Sequence, residues 1–109
     1  MRIAIIGSRD VAVTDIGRYV SGVDEIVSGG AVGVDFCAEE YAKKNRIKFT
    51  VFLPQYEQYG RAAPIVRNKK IVDYSDKIIA FWNGSSKGTL SVIKYAQKTG
   101  KPLEVVLCK

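Results

Sequence analysis

The chain has 109 residues, of which 47% are hydrophobic and 26% charged, so it suits one domain with a buried core and leaves no room for a second. Its 17 basic and 11 acidic residues give a net charge of +6, which favours anionic partners such as nucleotides, nucleic acid or acidic surfaces. Histidine is absent, which excludes a Ser-His-Asp triad, a Cys-His pair and an imidazole zinc site in this chain. Any general base must therefore be a carboxylate, a lysine or a tyrosine.

Cysteine usage and hydropathy bear on the location of the protein. Cys37 and Cys108 lie far apart in the sequence, and we expect both to be inert thiols. The first residues do not resemble a signal peptide, and no apolar run approaches the roughly 20 residues that span a bilayer. The sequence therefore predicts a cytoplasmic protein with no membrane contact.

Five short apolar runs alternate with helical patterns along the chain. The runs predict strands at residues 3–6, 25–27, 49–53, 77–82 and 103–107, and their nearly continuous apolar character predicts burial on both faces. Helices are predicted at about 14–20, 34–45, 63–74 and 88–99, the last ending at Gly100. This alternation predicts one Rossmann-like α/β domain over residues 1–109, a three-layer sandwich whose five-stranded parallel sheet has the order 3-2-1-4-5. Ligands then bind at the switch point, outside the carboxyl ends of strands one and four.

Three polar or glycine-rich turns follow strands one, two and four, at the edge where a ligand is expected. They cover residues 7–10, 28–35 and 83–89. Glycine lets backbone N–H groups approach an anion closely, a helix N-terminus adds partial positive charge, and serine or threonine adds hydroxyl donors. Helix caps favour the same residue types, but three such turns at one edge together predict a phosphate-binding site.

Two adjacent residues of the third predicted helix also bear on the site. Asn68 projects near the middle of an apolar stripe formed by Ile65, Ile71 and Val72. A core-facing amide needs partners, so Asn68 either ties down neighbouring loop backbone or supports a ligand. Arg67 lies at the edge of the stripe, from where its guanidinium could clamp a phosphate.

Other side chains have both a ligand-binding and an ordinary interpretation. Arg9 offers a second clamp or is a surface arginine in a loop. Trp82, at the end of strand four, stacks on a base or packs against a helix. Tyr56 and Tyr59 lie in the long loop after strand three, and either could fold over a ligand. Asp76 lies at the opposite edge of the sheet and is expected to be structural.

These motifs together resemble the superfamily often grouped as SLOG, which contains the Smf or DNA-processing protein A Rossmann domain and the Lonely Guy nucleotide phosphoribohydrolases. The matching pieces are Gly7-Ser8-Arg9, Ser28-Gly29-Gly30-Ala31 with Gly33 and Asp35, Arg67-Asn68, Ser75-Asp76, and Ser86-Lys87-Gly88-Thr89. These pieces span nearly the whole chain. The chain looks like one of the small stand-alone members of the superfamily, and some of those members resemble nucleotide or ADP-ribose sensors. The resemblance implies a phosphate-bearing small ligand, and a homo-oligomer because the related enzymes resemble dimers.

One departure from the resemblance concerns catalysis. The Lonely Guy motif is similar to Pro-Gly-Gly-X-Gly-Thr-X-X-Glu, and its glutamate acts in catalysis. Here Gly88-Thr89-Leu90-Ser91 is followed by Val92, and Gly84-Ser85-Ser86 replaces the first part of the motif. A phosphate cradle can survive these changes, whereas the family's glycosidic cleavage lacks its carboxylate.

Three functions are therefore weighed. The leading hypothesis is a nucleotide- or nucleotide-derivative-binding protein, a sensor for example, with AMP or ADP-ribose as a possible ligand. The first alternative is an enzyme that hydrolyses a nucleotide N-glycosidic bond with Asp35 or Glu39 as its carboxylate. The second is a single-stranded nucleic-acid-binding protein that uses Arg61, Arg67, Lys69, Lys70 and Lys77.

The predicted ligand site draws on the three turns and on the third helix, with no metal expected in it. Its residues are Gly7, Ser8, Arg9, Ser28, Gly29, Gly30, Gly33, Asp35, Arg67, Asn68, Trp82, Gly84, Ser85, Ser86, Gly88 and Thr89.

Overall fold

Parallel pairing of short apolar strands organises the molecule. A computed structural model of the chain describes residues 1–13, 15–20, 22–30 and 33–108. Its strands are β1 (Arg2–Gly7), β2 (Glu25–Ser28), β3 (Lys48–Val51), β4 (Lys77–Trp82) and β5 (Leu103–Leu107). They form one sheet in the order β3-β2-β1-β4-β5, and every neighbouring pair is parallel. The predicted Rossmann-like α/β class and strand order are confirmed.

Helices cover both faces of the sheet. They are α1 (Val34–Lys44), a short α2 (Tyr56–Tyr59), α3 (Ala63–Tyr74) and α4 (Lys87–Thr99). Helix α1 packs on β1, β2 and β3, whereas α3 packs on α4 and β1, and α4 packs on β4 and β5. The α1 face and the α3–α4 face each have their own hydrophobic core. Because side chains alternate across a strand, Ile5 of β1 joins the first core and Ile6 joins the second.

Burial on both faces, predicted for all five strands, holds only for the central ones. β1, β2 and β4 are almost wholly buried. The prediction is wrong for β3 and β5, whose Val51 and Val105 are 40% and 42% exposed. These two strands lie at the edges of the sheet, where each has a neighbour on one side only and the helices cover less of it.

Three local predictions are corrected by the structure. The helix predicted at 14–20 is a single 3-10 turn at Ile16–Arg18, and Thr14 lies outside the described residues. The third strand ends at Val51 instead of Leu53. Ile65 is 51% exposed and does not join the apolar stripe of α3, because the buried face of that helix begins at Ala63. All other predicted elements agree to within one residue at either end.

Other sequence predictions concern single side chains and the membrane. Cys37 and Cys108 are both free thiols. Asp76 immediately precedes β4, where its carboxylate accepts a hydrogen bond from the backbone N–H of Arg2 at 2.7 Å, in keeping with a structural role. Among the described residues, every helix falls short of the length and apolar character that crossing a membrane requires.

A buried carboxylate joins three strands and α3 at the amino end of the sheet. Oε2 of Glu25 accepts hydrogen bonds from the hydroxyls of Thr50 and Tyr74, both at 2.6 Å. Lys48 Nζ and Arg2 Nε lie 3.6 and 3.9 Å from the other carboxylate oxygen. Burial by itself would raise the pKa of Glu25, but the two hydrogen bonds and the two positive charges outweigh it and lower the pKa.

We expect Glu25→Gln to lower the free energy of unfolding by about 1–3 kcal/mol at neutral pH, because an uncharged amide replaces the buried acceptor. Since the folded-state pKa lies below the usual 4.5, the carboxylate's contribution is present above about pH 4.5 and is lost as the pH falls through the folded-state pKa. Urea unfolding at about pH 7 and about pH 3 measures both effects. Glu104→Gln, which alters a half-exposed pair with Lys77, is the control and should change little. Equal stability of Glu25→Gln and the unchanged chain at pH 7 would contradict this role.

Candidate functional site

A cleft of about 600 Å³ opens at the carboxyl ends of β1, β2 and β4, where the strand order changes direction. Its volume lies within the range of about 300–1,000 Å³ that is usual for small-molecule sites. Among the described residues its lining comprises Ile6, Gly7, Ser8, Arg9, Asp10, Gly29, Gly30, Asp35, Leu53, Pro54, Tyr56, Pro64, Arg67, Asn68, Ile71, Asn83, Ser86, Gly88, Thr89 and Val92.

The cleft brings together predicted site residues from all three turns and from α3. Those on its lining are Gly7, Ser8, Arg9, Gly29, Gly30, Asp35, Arg67, Asn68, Ser86, Gly88 and Thr89. The structure places the other predicted residues outside the described lining: Ser28, Gly33, Trp82, Gly84, Ser85 and Glu39.

Hydrogen bonds between the β1 and β4 turns fix the shape of the cleft at the switch point. Ser8 is buried, and its hydroxyl accepts from the backbone N–H of Asn83 at 3.2 Å. The Asn83 side chain donates to Asp10 at 2.9 Å and accepts from the backbone N–H groups of Ser85 and Ser86 at 2.9 and 2.8 Å. The turn that begins α4 is therefore held against the turn that follows β1.

Helix α4 presents its N-terminus to the cleft. Ser86 caps it by accepting from the backbone N–H of Thr89 at 3.3 Å. A Cβ built on Gly88, in the first turn, would meet no heavy atom within 4 Å. The first turn of a helix carries unpaired N–H groups and a partial positive charge. Gly88 thus borders open space at a point of positive potential, where an anion can approach the backbone.

At Gly33, unlike at Gly88, the backbone conformation and the neighbouring backbone atoms leave no room for a side chain. Its φ is +75°, and a Cβ there would lie 2.5 Å from the carbonyl oxygen of Arg9 and 2.8 Å from that of Val11. The start of α1 is thus packed against the backbone that follows β1, in a conformation that other residues rarely adopt. The residue holds two segments together and does not line the cleft.

The β2 turn is anchored by two buried polar side chains. Oδ2 of Asp35 accepts from the Ser28 hydroxyl at 2.7 Å and from the backbone N–H of Gly29 at 3.0 Å. The Ser28 hydroxyl in turn accepts from the backbone N–H of Gly30 at 3.2 Å. Asp35 therefore both lines the cleft and positions the β2 turn. Ser28 stabilises the same turn but does not belong to the described cleft lining.

Arg67 faces the β2 turn from α3. Its Nη1 donates to the carbonyl oxygen of Gly29 and its Nε to Oδ1 of Asn68, both at 2.8 Å. Burial lowers the pKa of the guanidinium, and the nearby Asp35 carboxylate and Tyr56 hydroxyl oppose this effect without cancelling it. Arginine remains a cation at neutral pH. Asn68 orients this cation, and Arg67 adds fixed positive charge to the cleft.

The predicted residues outside the cleft lining have other contacts. Trp82 is packed against the α3–α4 core, and its Nε1 donates to the carbonyl oxygen of Ser86 at 3.0 Å. Gly84 has φ of +88° and belongs with Ser85 to the turn before α4. Glu39 lies on α1, where its carboxylate is 3.6 Å from Lys43 Nζ. Of the two carboxylates considered for catalysis, only Asp35 lines the cleft.

The basic residues considered for nucleic-acid binding differ in their surroundings. Lys77 begins β4 and pairs with Glu104 at 3.7 Å. Lys70 is 3.4 Å from the Gln55 side chain, and Arg61 is exposed. Lys69 lines a second groove of about 410 Å³ between α3 and α4, whose other described lining residues are Asn68, Lys87, Leu90, Ser91, Lys94, Tyr95 and Lys98.

Several lining residues were missed from the sequence. Asp10 and Asn83 belong to turns that were recognised, but their contact with each other depends on the pairing of β1 with β4. Leu53 was assigned to a strand, and Pro54 and Pro64 were not considered for the site. Pro54 could have indicated that the strand ends before Leu53, because a residue before proline is restricted in conformation and often ends an element.

Neither the known protein-family models nor the curated proteins give a match to this chain. In the part of the chain that the structure describes, no group of three or more Cys, Asp or Glu side chains is arranged to hold a metal ion. The lining of the cleft includes glycine backbone, hydroxyls and the guanidinium groups of Arg9 and the half-buried Arg67, which suit an anionic ligand. It also includes the carboxylates of Asp10 and Asp35, which hold the side chain of Asn83 and the β2 turn.

Gly33 and Gly88 should respond in opposite ways to the same substitution. Gly33→Ala should lower the free energy of unfolding by about 1 kcal/mol or more, because of its positive φ and the backbone oxygens that its Cβ would meet. Gly88→Ala should leave the free energy unchanged or raise it by up to about 1 kcal/mol, because its site is helical and open. Urea unfolding of the two variants measures the contrast. A strongly destabilised Gly88→Ala variant would show that Gly88 is needed for the fold itself.

Proposed function

We propose that this chain is a nucleotide-binding protein of the SLOG type, which holds the phosphate of its ligand at the N-terminus of α4. The observation that carries the proposal is the open space at Gly88, in the first turn of a 13-residue helix that faces a cleft of ligand size. Glycine at a helical position lowers helix stability relative to alanine. Packing does not explain the glycine at position 88, because a side chain there would meet no neighbour. Access of a ligand to the helix backbone does explain it.

The surrounding groups suit a phosphate. Ser8, Ser86 and Thr89 bring hydroxyls to the same cleft, and Arg67 of α3 brings a guanidinium to it. Charge-assisted hydrogen bonds from arginine to phosphate are among the strongest that proteins make. The net charge of +6 adds a general attraction for anions. The SLOG resemblance supports a nucleotide in place of a simple anion; the implied homo-oligomer and the cytoplasmic location remain predictions.

Hydrolysis of a nucleotide N-glycosidic bond is a second candidate because Asp35 lines the cleft. Its carboxylate already accepts hydrogen bonds from Ser28 and Gly29, so its evident task is to hold the β2 turn. Val92, which stands in place of the Lonely Guy glutamate, lines the cleft but is only 2% exposed. Binding without this reaction therefore has the stronger support.

We expect AMP, ADP or ADP-ribose to raise the melting temperature, since a ligand that binds only the native state stabilises it by mass action. Gly88→Ala should fold at least as well as the unchanged chain and yet lose most of this shift, because the added methyl group occupies the space in front of the helix. Thermal-shift measurements with millimolar nucleotide test both statements. Ser91→Ala, in the next turn of α4 and outside the cleft lining, is the control and should keep the full shift. No shift with any of the three ligands, or a full shift with Gly88→Ala, would refute the proposal.

Arg67→Ala should lose roughly 1–3 kcal/mol of nucleotide binding free energy, the contribution of a charge-assisted hydrogen bond. Lys70→Ala, on the same helix but outside the cleft lining, should bind almost normally. Calorimetric titration at low and physiological salt measures both, and binding should survive the higher salt. If Lys69→Ala and Lys70→Ala abolish binding while Arg67→Ala does not, or if binding disappears steeply with salt, an extended nucleic-acid surface is the better explanation.

A further inference from the structure

One end of the cleft is apolar and uncovered. Leu53, Pro54, Tyr56 and Pro64 line it, and we call these four residues the apolar wall. Leu53 is 64% exposed and Tyr56 is 60% exposed. Single exposed apolar residues are common on protein surfaces. Here they adjoin one another on the lining of a cleft whose other end is polar, so the surface they form needs an explanation.

The apolar wall lies directly against the β2 turn. Strand β3 ends at Val51, and the backbone N–H of Phe52, the next residue, donates to the carbonyl oxygen of Ser28 at 2.9 Å. A Cβ built on Gly30 would lie 2.7 Å from a methyl carbon of Leu53, which shows how closely the leucine covers that glycine. Tyr56 lies close enough to Arg67 for its hydroxyl to act on the guanidinium, whose pKa it raises against the larger effect of burial. The wall is therefore continuous with the cationic part of the cleft.

The two ends of the cleft lie beside different strands of the sheet. The phosphate site proposed above follows β4, whereas the apolar wall follows β3, three positions away in the strand order. Neighbouring strands lie about 4.8 Å apart, so the two ends are roughly 14 Å from each other. A compact anion cannot contact both, but an elongated ligand with a charged end and a flat apolar end can.

We propose that the apolar wall binds the base of the nucleotide, with Tyr56 and Leu53 against the ring while the phosphate lies at the N-terminus of α4. This inference rests on the proposed function, because it assumes a phosphate-bearing ligand in the same cleft. The ribose that joins phosphate and base then lies across the carboxyl ends of β1 and β2, and the ligand passes Arg67. Tyr56 becomes the residue that distinguishes a nucleotide from a sugar phosphate.

Calorimetric titration with AMP, ADP and ribose 5-phosphate tests this assignment. Stacking of a base on an aromatic side chain predicts that Tyr56→Ala weakens nucleotide binding roughly five- to hundredfold. Binding of ribose 5-phosphate, which has no base, should be the same in the variant and in the unchanged chain. Leu53→Ser should weaken nucleotide binding in the same selective way.

Tyr59→Ala is the matched control, since Tyr59 belongs to the same short helix but not to the described cleft lining, and it should bind all three compounds normally. Because Tyr56 is largely exposed, its variant should melt at the temperature of the unchanged chain. Equal affinity of the unchanged chain for AMP, ADP and ribose 5-phosphate would overturn the inference and leave the phosphate site standing. An equal loss of all three ligands in Tyr56→Ala would overturn it too, because Tyr56 would then act through Arg67. If none of the three binds the unchanged chain, both proposals fail.

Discussion

The parallel pairing of β1 with β4 determines where this protein has a cleft. The chain that follows β1 leads to the 3-10 turn at Ile16–Arg18, which packs with α1 on one face of the sheet, and the chain that follows β4 leads to α4 on the other. Two segments that leave neighbouring strands in opposite directions open a crevice between them. The glycines, hydroxyls and amides at this edge are useful only because the sheet order brings residues 7–10, 28–30 and 83–89 to one place.

The polar groups around this crevice are held in place before any ligand arrives. Asn83 and Ser8 connect the β4 turn to the β1 turn, and Asp35 fixes the β2 turn. Among the described residues, no buried side-chain nitrogen or oxygen lacks a hydrogen-bond partner. A site whose groups already have their positions loses little conformational freedom on binding. The structure thus combines a polar end, whose side chains are already hydrogen-bonded, with an exposed apolar wall.

Sequence patterns could predict the sheet and most of the cleft because both depend on local signals. Buried runs such as those of β1 and β4 are continuous and apolar, and the turns after them are rich in glycine and serine. Gly33 and Gly88 look equivalent in the sequence, yet one packs against backbone oxygens and the other borders open space. Tyr56 was recognised from the sequence as a residue that could fold over a ligand, and it lines the cleft. Leu53 was missed because Phe52 and Leu53 continue the pattern of β3, and an apolar pattern does not reveal where strand pairing stops. Such distinctions depend on contacts between segments that are distant in the chain.

Placing the nucleotide at the carboxyl edge of the sheet can be checked by mapping where a bound ligand lies on the protein. In a titration of ¹⁵N-labelled protein with AMP, followed by NMR, we expect the largest shifts at the backbone amides of Ser8, Gly29, Gly88 and Thr89. The lysine-lined groove between α3 and α4 should show little change at Lys94 and Lys98. Shifts confined to Lys94 and Lys98, or no shifts at saturating AMP, would contradict a nucleotide site at the carboxyl edge of the sheet.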